Sequence, residues 1–296
     1  MTTPQSLKIA AAPISWGVCE VPGWGYQLTP QRVLAEMRDV GLAATELGPE
    51  GFLPTDPHEL TVLLDSYGLS CVGTFAPILL HDARHDPLPD IAAPLDALMA
   101  CGASVLVLAA ATGTDGYDAR PTLDDDQWAT LLRNLDRLAA AAAERGVLAV
   151  LHPHVGTMVE SRGDVDRVLA GSQIKLCLDT GHLLIGGTDP LQLAREVPDR
   201  IAHAHLKDVD AALAARVQAG ELTYTEAVRD GMYTALGGGD VDIAGIVTAL
   251  RSNGFHGWFV MEQDTILDGE PTGEGPVGDV RTSVAYVQEV CRGVPV

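Results

Sequence analysis

Apolar residues in this chain fall into short, nearly unbroken runs, separated by longer stretches in which they recur every three or four positions. The runs are 7–15, 43–48, 69–76, 104–110, 147–154, 174–180, 201–207 and 257–263. Continuous apolar character over so few residues predicts strands buried on both faces, as in a parallel sheet. The intervening periodicity predicts helices over 29–40, 57–67, 91–101, 124–145, 161–170, 190–196, 211–229 with 240–252, and 278–291. Thr29, Asp124 and Asp189 stand where N-caps belong. Eight strands, each followed by a helix, predict a single (β/α)8 TIM barrel spanning 1–296, with an insertion after the seventh strand at about 209–240. A doubly wound sheet is the other arrangement such alternation allows. The first run is followed by "WGVCEVPGWG" and carries no G-x-G-x-x-G turn, which disfavours it.

Composition narrows the picture. A chain of 296 residues with 47% hydrophobic residues can build a large core. Its longest apolar run, 100–111, contains Gly102 and Ser104 and falls short of the ~20 residues a membrane span needs. No membrane association is expected. The beginning of the chain lacks a basic segment followed by an apolar one, so a cytoplasmic location is the default expectation. Five dispersed cysteines without a C-x-x-C pair argue against a disulfide framework and a zinc ribbon. The formal charge of −21 opposes a polyanionic partner, so nucleic acid is not expected.

The ends of the predicted strands carry the chemistry. Glu46 ends the second, His152 and His154 the fifth, Asp179 the sixth with His182 just beyond, His203, His205 and Lys207 the seventh, and Glu262 the eighth. In a barrel these ends share one rim, where active sites are built. Alternation puts His203, His205 and Lys207 of "HAHLKD" on one face, His203 deepest, and turns Asp208 toward the following loop. Two imidazoles and two carboxylates from four strands suit a borderline divalent cation, and the best ligand set is His152, Asp179, His205 and Glu262. Each residue also has a packing explanation: Asp179 as a helix cap, Glu262 as a partner of Lys207, a histidine as a hydrogen-bonded core group.

"LHPHVGT", "LDTGH", "HAHLKD" and "VMEQD", each at a strand end, resemble the xylose-isomerase-like TIM-barrel superfamily of sugar isomerases, epimerases and dehydratases. "APISWG", "TELGPEGFLP", "HPHVGTMVES" and the long segment ending in "GGGDVD" look most like inosose (2-keto-myo-inositol) dehydratases. The resemblance puts the superfamily's Glu, Asp, His and Glu metal ligands on His152, Asp179, His205 and Glu262. His152 departs from that pattern, and His154 on the same face is the alternative ligand. It further implies Mn2+ or Co2+ first, with Zn2+, Fe2+ or Mg2+ as other candidates, and His182 and Lys207 as contacts to substrate oxygens.

The implied reaction is dehydration of a cyclic keto-polyol: proton abstraction beside the carbonyl, a stabilised enediolate, then loss of the β-hydroxyl. Glu262 or His154 is the base in this scheme, and Lys207 or His182 the acid or orienting donor. Glu46 would hydrogen-bond substrate hydroxyls, and Trp16 would form an apolar wall. The alternatives are an isomerase or epimerase of a keto-sugar, a lyase cleaving 3-keto-glycosides with a partner subunit, a DNA-repair endonuclease, which the charge opposes, and a non-catalytic sugar-binding protein. A small keto-polyol or keto-sugar is the expected partner, and a homo-oligomer is left open.

Overall fold

The computed structural model describes residues 8–293. In it β1 (Ile9–Ala11), β2 (Ala44–Glu46), β3 (Ser70–Leu79), β4 (Val105–Ala111), β5 (Leu148–Leu151), β6 (Lys175–Asp179), β7 (Ile201–Leu206) and β10 (Phe259–Met261) close into an eight-stranded parallel barrel. Closure is made by β10, which pairs with β1 on one side and β7 on the other. Leu7, where the first strand was expected to begin, lies outside the described residues.

Between the strands run α1 (Pro30–Asp39), α2 (Pro57–Tyr67), α3 (Ala92–Ala100), α4 (Asp125–Glu144), α5 (Arg162–Gly171), a short α6 (Thr180–Ile185), α7 (Pro190–Glu196), α10 (Ile243–Ser252) and α11 (Val277–Gly293). The three expected caps all form: Thr29 accepts from the Arg32 amide, Asp124 from Gln127, and Asp189 from Leu191 and Gln192. Among the described residues, no helix is long and apolar enough to cross a membrane.

Strand alternation sorts the side chains into two layers. Leu106, Leu108, Leu176, Leu178, Ala204 and Leu206 face outward and join the helices in the main core. Val105, Val107, Val150 and Cys177 face inward and pack against each other. Continuing up the inward faces leads from these apolar groups to His152, Asp179, His203 and His205, so the interior changes from apolar to ionisable toward the strand ends.

After β7 the chain makes a short antiparallel ribbon of β8 (Asp208–Val209) with β9 (Tyr233–Thr234), enclosing α8 (Ala211–Gln218) and α9 (Tyr224–Arg229). One helix was expected over 211–229. It is divided because Gly220 adopts φ +71° and Thr223 starts a new helix in a capping box with Glu226. Asp208 anchors the segment: its carboxylate accepts from the amides of Val209, Gly237, Gly239 and Val241 at 2.8–3.1 Å. A Cβ on Gly239 would stand 2.4 Å from Asp208 Oδ1, which accounts for glycine in the "GGGD" turn.

Candidate metal centre

Asp179 occupies the last position of β6 and is fully buried. Its Oδ1 caps α6, accepting from Gly181 at 2.9 Å and His182 at 2.8 Å. This leaves Oδ2 facing the barrel axis, 3.2 Å from His152 Nε2, 3.7 Å from His205 Nδ1 and 3.8 Å from Lys207 Nζ. The cap and the inward-facing oxygen, free to meet a cation, are thus the two oxygens of one carboxylate. A Cβ on Gly181 would meet Lys207 Cβ at 2.8 Å and Tyr233 Cε1 at 2.9 Å, so only glycine lets this turn approach the seventh strand.

Glu262 follows β10, and its Oε2 lies 3.2 Å from His205 Nδ1 and 3.1 Å from Lys207 Nζ. The ligand atoms of His152, Asp179, His205 and Glu262 all lie within 4.8 Å of one another, and all four residues are buried. Bond lengths of about 2.0–2.2 Å from one ion to N and O donors require separations of this order.

The surroundings of His205 test whether the set fits a cation. Its Nε2 is 3.1 Å from Glu46 Oε1, which also takes His203 Nε2 at 2.8 Å. With Nε2–H committed to Glu46, Nδ1 presents a lone pair, and this buried atom has no hydrogen-bond partner among the described residues. A carboxylate behind an imidazole, fixing its tautomer and orientation, is the usual support of a metal-binding histidine. The residues fit the ion.

The charge balance points the same way. Burial opposes a charge on His205, but the Cys177 sulfur, Glu262 and Glu46 outweigh it and raise its pKa well above the usual imidazole range. Burial would likewise raise Asp179 and Glu262, yet Lys207 and the imidazoles hold both below the ordinary carboxylate range. Glu46 is held at about 2, burial being overcome by His205 and His203. This cage of carboxylates demands positive charge, which a proton on His205 or a divalent ion beside its neutral ring can supply.

The remaining predicted residues divide. Lys207 is buried, with Nζ also bonded to Asp264 and 3.0 Å from His182 Nε2. Burial would discharge it, but Asp264, Glu262 and Asp179 keep its pKa well above the usual lysine value. His154 gives Nδ1–H to the Val155 carbonyl at 2.7 Å, which leaves Nε2 for the small chamber, about 70 Å³, that it lines with His205, Lys207 and Glu262. Burial, His152 and Lys207 push His154 well below the imidazole range, so the ring is neutral. His182 stacks on His154 with ring centroids 3.6 Å apart and is not part of the chamber wall. Glu46 reaches the chamber, but its Oε1 is taken up by the two histidines.

Trp16 is not brought to the site. β1 ends at Ala11, and a 3-10 turn over Pro13–Trp16 sends the indole into the main core, where Nε1 donates to Glu36 of α1 at 2.8 Å. The apolar wall comes instead from Trp24, Phe75 and Tyr117, none of them anticipated. Asp264, two positions beyond Glu262, was also missed, although "VMEQD" offers it on the same alternation. It is buried, binds Lys207 through Oδ1 and receives the Tyr224 hydroxyl on Oδ2. Tyr224 and Tyr233 arrive from the insertion, whose irregular sequence gives no periodic signal for them.

The comparisons extend these observations. The chain is 29% identical to the inosose dehydratase of Geobacillus thermodenitrificans (strain NG80-2), the match covering 98% of this chain and 99% of that protein. It is 34% identical to the rhizopine catabolism protein MocC of Rhizobium meliloti over 88% of this chain and 82% of that one. The crystal structure of the IolI protein with a zinc atom superposes with a TM-score of 0.69 at 15% identity, covering 96% of this chain and 98% of that one. The profile of one family matches residues 34–286, and the chain belongs to that family, the xylose isomerase-like TIM barrels.

Proposed function

We propose that the protein is a divalent-metal-dependent lyase that removes water from a cyclic keto-polyol of the inosose type. At coarser grain it is a keto-polyol dehydratase or epimerase, in keeping with relatives named inosose dehydratase that match 88–98% of the chain. The observation that carries the reading is the convergence of His152, Asp179, His205 and Glu262 beside Lys207, at the foot of a chamber lined by a neutral imidazole. Mn2+ or Co2+ is the proposed ion, and the zinc in the IolI structure keeps Zn2+ beside them. When bound, the ion supplies positive charge that stabilises the oxyanion developing on the substrate carbonyl.

The chain's own residues perform the proton work. His154 is the better placed base, because it is neutral and Nε2 remains available, whereas Glu262 is paired with Lys207 and belongs to the proposed ligand set. Lys207, charged and oriented by Asp264 and Glu262, donates a hydrogen bond to the departing hydroxyl, which leaves as water on taking the proton that His154 removed from the ring carbon. Trp24, Phe75 and Tyr117 exclude water from the ring. An imidazole rather than a carboxylate at the fifth strand removes a second carboxylate base, and this favours elimination over two-base epimerisation.

Incubating scyllo-inosose with the Mn2+-loaded protein, with absorbance and product mass followed together, tests the reading. A product lighter by one water with new ultraviolet absorbance is expected. An unchanged mass with altered stereochemistry would make the protein an epimerase, and an unchanged substrate would refute both.

A further inference from the structure

The chamber above the ligand set adjoins a second and larger cavity. The first measures about 70 Å³ and the second about 530 Å³, and Glu20, Gly48, Pro49 and Phe75 line both. Phe75 is the aromatic residue they share. Its half-buried ring lies 6.0 Å from the His152 ring and 5.9 Å from that of His154, and it also borders the second cavity. The cavity is bounded by the loop after β2, the upper half of β3 and the first turns of α3.

Its chemistry is one-sided. Leu47, Leu53, Leu60, Ile78 and four prolines supply most of the wall, and among the described residues Thr55 and Thr74 are its only hydroxyl-bearing side chains. Every ionisable residue lining it is acidic: Glu20, Glu50 and Asp90. A phosphate or carboxylate would meet like charge with no basic side chain to offset it. A second sugar unit would leave most of its hydroxyls without partners. An apolar group gains from leaving water there.

We infer that this cavity is a substrate subsite for a neutral, hydrophobic substituent, an alkyl or aryl ether, carried on the keto-polyol ring whose carbonyl faces the ligand set. The inference rests on the keto-polyol reading above and narrows its substrate class. Unsubstituted inosose would then occupy only the inner part of a longer site.

The test compares unsubstituted inosose, each of its mono-O-benzyl ethers and a monophosphate ester with the Mn2+-loaded protein, by calorimetric Kd and by product mass. One benzyl regioisomer is expected to bind at least ten-fold more tightly than the parent ring, and the phosphate more weakly. Ala93→Phe and Thr55→Phe, which fill the cavity from exposed positions on two of its walls, are expected to cut that advantage at least five-fold, each checked for an unchanged melting temperature. Turnover of the parent ring with no benzyl ether binding more tightly would overturn the subsite and leave the reaction standing. Absence of turnover would overturn the reaction; a benzyl advantage lost in both variants would then still support the subsite, and its absence would overturn that too.

Discussion

Glu46 distinguishes a supporting carboxylate from a substrate-binding one, and Glu46→Gln and Glu46→Ala separate the two. Its Oε1 accepts from His203 at 2.8 Å and His205 at 3.1 Å in a buried setting. Glutamine keeps an acceptor but loses the charge that strengthens both bonds and raises the basicity of His205. Loss of such an outer carboxylate typically weakens metal affinity 10–100-fold, or about 1.4–2.7 kcal/mol. The smaller figure is expected for Gln. The larger is expected for Ala, which also leaves two imidazole N–H groups unpaired at about 1–3 kcal/mol each in folding stability. Competition with a chromophoric chelator measures the affinity, and urea unfolding of the metal-free protein measures the stability. If Glu46 instead held substrate hydroxyls, KM would rise while metal affinity stayed within two-fold of the parent protein. That result would refute the supporting role.

Three other outcomes follow from the same geometry. Lys207→Met should retain stoichiometric metal while kcat falls about 10²–10⁴-fold, the usual contribution of a group that assists proton transfer to a leaving group, as elemental analysis beside steady-state rates would show. Trp16→Ala should cost about 3–5 kcal/mol in urea unfolding, like other buried tryptophans, with KM unchanged; a raised KM would return Trp16 to the substrate wall. Burial drives the pKa values of His154, His182 and His203 below 6.5, so below that pH the unfolded chain takes up protons that the folded chain refuses. Stability of the chelated protein should therefore fall as pH drops below about 6.5, at about 1.4 kcal/mol per proton and pH unit, while His205, held above the imidazole range, opposes the loss near and above that pH; a flat profile would contradict the neutral assignment.

The barrel was legible because strands buried on both faces leave apolar runs that helices do not, and because ionisable residues at five run ends have few packing explanations. The period-2 reading of "HAHLKD" works because β7 is regular up to Leu206, so His203 and His205 project to the axis as alternation requires. Trp16, expected as an apolar wall of the site, is turned away because β1 stops at Ala11 and a 3-10 turn, closed by Gly17 at φ +79°, sends the indole into the main core. Asp179 shows why weighing a cap against a ligand misleads, since two oxygens allow both. Asp264 and Trp24 sit on loops, and Tyr224 and Tyr233 open α9 and β9, short elements whose path is set by tertiary contacts, among them the four amides gathered by Asp208. No local pattern encodes such a path.

The central claim is that one divalent cation, held by His152, Asp179, His205 and Glu262, is required for turnover of the keto-polyol. The most direct measurement strips the protein with a chelator, confirms its metal content by elemental analysis, and follows inosose turnover as Mn2+ is returned. Activity should be absent at the start and rise in proportion to bound metal until one ion per chain is reached, while the Asp179→Ala protein, folded but unable to retain the ion, stays inactive. Full turnover by protein shown to carry no metal would contradict the account.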